Sequence, residues 1–298
     1  VKTLYLILPF LLWSCSSVEK KQEINKVDKF DFSKDKSLKA NQFNDFYSSS
    51  LRSNQLNFLF DETSALLSDS EIKGLSEESK IIVHISRSCQ KPRNENFKVL
   101  INKYFNVYQK IPAFWNTIAN CHLNVGDFKT ALLFYNKALE LDDNYYPAFN
   151  NLGVFYLRQA NYQKALVAFE KANSLAPFAK TPVFNLASIY LKFNLIKFAE
   201  PFVDSLFKRF PNEARVVQLM AYLSYAKGDY QSSLTYFTFL TKEKLISATD
   251  RLYLAYIHLS LGDKSKSKKI LEEISQLSLT ENAKMFYRLI SSKLQGVT

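Results

Sequence analysis

"DFKTALLFYNKALELDD" (Asp127–Asp143) and "NYQKALVAFEKANSLAP" (Asn161–Pro177) lie 34 residues apart and place alanine, an aromatic and alanine again at the same intervals. A fixed period of this length constrains a chain more than its composition does. Each period is one supersecondary unit, and such a unit cannot bury its apolar face without neighbours. Counting from Pro112, the period gives further unit starts at Tyr146, Lys180, Ala214 and Ala248, with no insertion. The eighth position reads Ala119, Gly153, Ala187, Ala221 and Ala255, and the twentieth reads Ala131, Ala165, Ala199, Ser233 and Ser267. The twenty-fourth reads Tyr135, Phe169, Val203, Phe237 and Leu271. Between the eighth and the twentieth comes Gly126-Asp127, Ala160-Asn161, Asn194-Leu195, Gly228-Asp229 or Gly262-Asp263.

This order resembles the tetratricopeptide repeat, whose pattern is W-x₂-L-G-x₂-Y, then A-x₃-F and P. The second unit carries it as Phe149, Leu152, Gly153, Tyr156, Ala165, Phe169, Ala172 and Pro177, and Trp115 holds the tryptophan place in the first unit. The last two units depart: Arg251 takes the Trp place, Ser224 and His258 the Tyr place, and Leu245 and Leu279 the Pro place. The resemblance implies an all-α fold, a right-handed superhelical solenoid of antiparallel helix pairs. Small residues at positions eight and twenty let the two helices approach. Tyr or Phe at twenty-four fills the gap left between neighbouring pairs. Gly or Asn in the turn suits a left-handed backbone, and the following Asp caps the next helix.

The expected organisation is five tandem units over residues 112–281 and a C-terminal capping helix in 282–298, where "NAKMFYRLISSKL" is amphipathic. Residues 41–111 read as an irregular helical region. Within it, "ESKIIVHISRS" and "NFKVLINKYFNVYQKI" have the look of a degenerate repeat.

Residues 1–14 read as a signal peptide, with Lys2 ahead of the apolar run Leu4–Trp13. Ten helical residues cover about 15 Å, too short to span a bilayer. Leu12-Trp13-Ser14-Cys15 resembles a bacterial lipobox, although Trp13 is larger than the usual residue there. That resemblance implies acylation of Cys15, with more than one chain needed for stable anchoring. An ordinary signal peptide with an incidental cysteine is the competing reading. Residues 15–40 then form a charged, flexible tether. Ser16, which is not Asp, points by the same resemblance to the outer membrane of the bacterial envelope.

The net charge is +11 and the pI about 9.3, which by itself suits acidic partners. The lysines are spread along the whole chain, however, and the densest run (Lys264, Lys266, Lys268, Lys269) fits a solvated helix face. Nucleic acid is therefore not an expected partner. Cys89 and Cys121 have no metal spacing; they are packed thiols, or a disulfide if the chain is exported. No nucleophile–base pair, metal cluster or phosphate loop stands out, so no enzyme activity, cofactor or small-molecule substrate is expected.

In the resembling family the first helices line a concave groove with positions two, five, six, nine, twelve and thirteen. Here these include Asn116, Asn120, Asn150, Asn151, Arg158, Phe184, Asn185 and Lys192, then Arg215, Gln218, Tyr222, Tyr225, Tyr253 and Tyr256. Amides both donate and accept, so the first set suits the backbone of an extended peptide. Tyrosines offer contact area at little entropic cost. Asparagines on a solvated helix and tyrosines in a core are the bland counterparts. The carboxylate-clamp variant is not expected, because Thr181 and Asn185 occupy its cation places. The expected function is a membrane-anchored scaffold binding a protein or peptide. The alternative is a fixed subunit of an envelope machine for outer-membrane protein assembly or pilus biogenesis.

Overall fold

The computed structural model describes residues 73–89, 96–274 and 279–296, all of which fall in the unit that begins at Ala40. The signal, Cys15, the tether and residues 41–72 lie outside the described residues. Among those described there are thirteen α-helices and no strand. In chain order they are α1 (Glu77–Ser88), α2 (Asn96–Tyr108), α3 (Pro112–Asn124), α4 (Phe128–Leu141), α5 (Tyr146–Arg158), α6 (Tyr162–Leu175) and α7 (Lys180–Lys192). There follow α8 (Ile196–Arg209), α9 (Ala214–Ala226), α10 (Tyr230–Lys242), α11 (Ala248–Ser260), α12 (Lys264–Glu272) and α13 (Glu281–Leu294).

From α3 onward the first helix of each hairpin begins at the same register, 34 residues after the last. The turn explains the sharpness of each boundary. Gly126, Gly228 and Gly262 have positive φ, and so do Ala160 and Asn194, which lack glycine's freedom. Asp127, Asn161, Asp229 and Asp263 then cap the second helix through a side-chain oxygen that accepts from the third backbone N–H. Leu195 holds the corresponding place before α8 and makes no side-chain cap.

Helices pack within each hairpin, and each second helix packs on the first helix of the next pair. First helices also touch first helices, α3 on α5, α5 on α7 and α7 on α9. The result is an all-α solenoid. The small residues at positions eight and twenty and the large ones at twenty-four are all buried. Gly153 shows why size matters there: a Cβ would run into the ring of Phe169. Of the two serines at position twenty, Ser233 Oγ donates to Ala221 O at 2.8 Å, while Ser267 Oγ has no hydrogen-bond partner among the described residues.

Upstream, α1 packs on α2 and α3, and a disulfide joins Cys89 to Cys121 in α3. Ile85, Phe114, Trp115 and Ile118 form the core beneath it. His122 lies against Phe97 and Phe134, with Nδ1 3.1 Å from Asp127 Oδ2, and so pins the turn of the first hairpin. His258 repeats the arrangement in the fifth hairpin, with Asp263 at 3.7 Å; burial holds its pKa below the usual histidine value. At the other end α13, capped by Thr280, packs on α11 and α12.

Candidate functional site

The first helices alternate with the second, so one side of the array is built from α3, α5, α7, α9 and α11 alone. All fourteen residues expected to line a groove are on these helices. Their exposure differs from that expectation. Only Arg158, Arg215 and Tyr256 are half-buried; Asn116, Asn120, Asn150, Asn151, Phe184, Asn185, Lys192, Gln218, Tyr222, Tyr225 and Tyr253 are buried.

The asparagines close on one another. Asn185 Nδ2 donates to Asn150 Oδ1 at 2.8 Å and Asn150 Nδ2 to Asn151 Oδ1 at 3.3 Å. Asn151 Nδ2 donates in turn to Asn116 Oδ1 at 3.0 Å. One amide chain therefore crosses α7, α5 and α3. The reason is the same dual character that suggested a peptide: an amide one repeat from another amide is a ready partner. Arg158 adds a strap, donating to Leu123 O at 2.8 Å and to Asn124 Oδ1 at 3.3 Å. Asn120 Oδ1 accepts from the Tyr135 hydroxyl. Phe184 is fully buried core.

The tyrosines also turn inward. Tyr253 meets Tyr222, Tyr225 and Phe286 and stacks on Phe237. Tyr256 touches Tyr225 and Phe286, and the Lys293 ammonium stands 5.1 Å above its ring. Burial, with Tyr256 and Tyr230 nearby, pushes the Tyr225 phenol well above its ordinary pKa. The aromatic set thus joins the last two hairpins to α13 and does not offer a row of rings to solvent. Burial also lowers the Arg215 guanidinium from its usual value, against the pull of Glu213.

Asp250 was not singled out in the sequence. It is buried in α11, where Oδ1 accepts from Gln218 Nε2 at 2.9 Å and from the Tyr222 hydroxyl. Oδ2 accepts from Ser247 N at 2.8 Å and Ser247 Oγ at 2.6 Å. Ser247-x-x-Asp250 is a capping box, and that spacing was the available signal.

Asn120 and Lys192 hold two of the buried donors on this side. Asn120 Nδ2 and Lys192 Nζ have no hydrogen-bond acceptor among the described residues. The Lys192 ammonium lies over the Tyr162 ring, 4.5 Å from its centroid. Burial depresses its pKa from 10.5 to about 8.

The tetratricopeptide repeat family model matches residues 112–145, and a second model of that family matches 134–167. Residues 112–167 belong to the tetratricopeptide repeat family. Human Tetratricopeptide repeat protein 8 is 32% identical over 75 residues, which are 25% of this chain and 14% of that protein. This chain therefore corresponds to a small part of that relative's length. Among solved structures, PilW, a widely conserved type IV pilus biogenesis factor, superposes with a TM-score of 0.56 at 16% identity. The match covers 71% of this chain and 99% of PilW. YrrB, a TPR protein with an unusual peptide-binding site, gives 0.50 at 19% identity over 64% of this chain and 97% of YrrB. At these identities the structural likenesses establish the solenoid fold.

Proposed function

We propose that this protein is a scaffold that binds a protein or peptide segment along its first-helix side, held at the bacterial envelope by lipid on Cys15. The observation that carries the binding side is that Asn120 Nδ2 and Lys192 Nζ are buried donors with no acceptor among the described residues. A buried polar group left unpaired costs about 1–3 kcal/mol, and a charged one more. A fold keeps such groups where a ligand offsets the cost, and backbone carbonyls or a carboxylate of an extended chain would do so. The half-buried Arg158, Arg215 and Tyr256 lie on the same side and give the segment its points of entry. The scaffold performs no chemistry of its own; its output is effective concentration near the membrane. The Cys89–Cys121 disulfide supports an oxidising compartment and so an exported chain.

The experiment is photo-crosslinking in cells from the half-buried Ser188 and Tyr256, in the parent and in a Lys192→Met variant. The expected result is one partner captured from either position and lost in the variant. Capture at neither position sinks the binding side, and capture unchanged by Lys192→Met shows that the ammonium is idle. The near-complete coverage of PilW supports a second reading, a fixed subunit of an envelope assembly machine. Purification from native membranes separates the two: a stoichiometric complex favours the machine, and substoichiometric, varied partners favour the scaffold.

A further inference from the structure

The second helices carry a pattern for which the first-helix side has no use. At position twenty-two of the repeat, facing away from the first helices, stand Val99 on α2, Leu133 on α4 and Val167 on α6. They are 65%, 63% and 45% exposed. One helical turn further on come Lys103, Lys137 and Lys171. In α8, α10 and α12 the same register holds Pro201, Thr235 and Lys269, all exposed and none followed by lysine at that spacing. An aliphatic–lysine pair therefore recurs on three successive second helices at the repeat's own interval and then stops. Val107 and Leu141, also exposed, widen the strip on α2 and α4.

A lone exposed aliphatic residue is ordinary. A row of them in register, with cations alongside, is not explained by solvation alone. The three helices hold six lysines and two glutamates. Of the glutamates, Glu140 pairs with Lys137 in the open and Glu170 accepts from the Tyr190 hydroxyl. Face-to-face contact with a second copy would oppose lysine to lysine.

We propose that the outer side of α2, α4 and α6 rests on an anionic lipid surface, with the aliphatic side chains at the headgroup–acyl boundary and the lysines on lipid phosphates. The contact is peripheral: no described helix is long and apolar enough to cross a membrane. It is independent of the first-helix side and of acylation at Cys15, and it orients the array with its first helices away from the bilayer.

The test is lysine footprinting of the full chain by reductive methylation and mass spectrometry. The protein is treated with mixed phosphatidylglycerol–phosphatidylcholine vesicles, with phosphatidylcholine vesicles and with none. Modification of Lys103, Lys137 and Lys171 should fall several-fold on the anionic vesicles alone, while Lys264, Lys266 and Lys268 stay reactive. Unchanged reactivity of the first three in vesicle-bound protein overturns the proposal, and so does protection at the second three instead. Protection that grows with protein concentration without vesicles assigns the face to a second copy and also overturns it. A Leu133→Asp/Val167→Asp variant, changed only at exposed sites, should lose the protection; retained protection removes the aliphatic row from the contact.

Discussion

The first three hairpins and the last two share a backbone register but are joined differently. Across α3, α5 and α7 the first helices are linked by amides, Asn185 to Asn150 to Asn151 to Asn116. Across α9, α11 and α13 they are linked by rings around Tyr253, and by Gln218 and Tyr222 on Asp250. The repeat therefore fixes where neighbouring helices meet, while the chemistry of the seam is left to the individual unit. An amide seam is directional and fails when one member is missing. An aromatic seam is held by area and contact geometry and fails in proportion to what is removed.

The largest expected effect breaks the aromatic side. Tyr253→Ala removes a fully enclosed ring touching four others and should cost about 3–5 kcal/mol in urea unfolding. Hydrogen exchange should rise first in α13, which rests on that ring through Phe286. Next comes the buried ammonium at the end of the amide side. Its folded pKa of about 8 lies below the ordinary 10.5, so between these values the unfolded chain binds more protons. Its contribution is a penalty that is full below pH 8 and vanishes as pH rises past 10.5. Relative to the parent, Lys192→Met should be more stable at neutral pH by on the order of 3 kcal/mol, and the gap should close with rising pH. A gap that is flat with pH would show that the ammonium is not desolvated. Asn150→Leu interrupts the amide chain at its middle and should cost about 2 kcal/mol. Adding Asn185→Leu should cost less than the two single changes summed, because a partner left stranded by the first is then gone. Strict additivity would break the description of one connected seam.

Much of this was legible in the sequence. Small residues at eight and twenty and large apolar ones at twenty-four place the hairpins, because only a tight, repeated interface asks for them. Asp127, Asn161, Asp229 and Asp263 likewise announced their caps. The chemistry of the first-helix side was less legible. Position numbers say which side Asn150 or Tyr253 is on, but not how closely the neighbouring unit closes over it, and Asn151 and Asn185 met other amides as readily as they would have met a peptide. Lys192 read as one groove cation among several; its missing acceptor belongs to tertiary packing. Asp250 was overlooked because a carboxylate in a capping box looks local, whereas Gln218 and Tyr222 reach it from thirty-two and twenty-eight residues away.

The smallest effect tests the border between the two regions. The third hairpin supplies the last amide of one seam and packs on the first helix of the other, and its turn is the one without a side-chain cap. Asn194 takes the left-handed conformation there with φ 55°, and Leu195 follows where the other four hairpins have Asp or Asn. Leu195→Asp should let a carboxylate accept from the first turn of α8 and add about 0.5–1 kcal/mol, after the loss of a half-buried aliphatic contact. The informative reading is local. Exchange in α8 should slow, while the amide seam at α7 and the aromatic seam at α11 keep their protection, because the cap touches neither. If slowing spreads to both seams, the hairpins unfold as one cooperative block and the two regions differ in chemistry alone. If it stays within α8, the third hairpin is the point at which the array comes apart, as nearest-neighbour coupling in a repeat array allows.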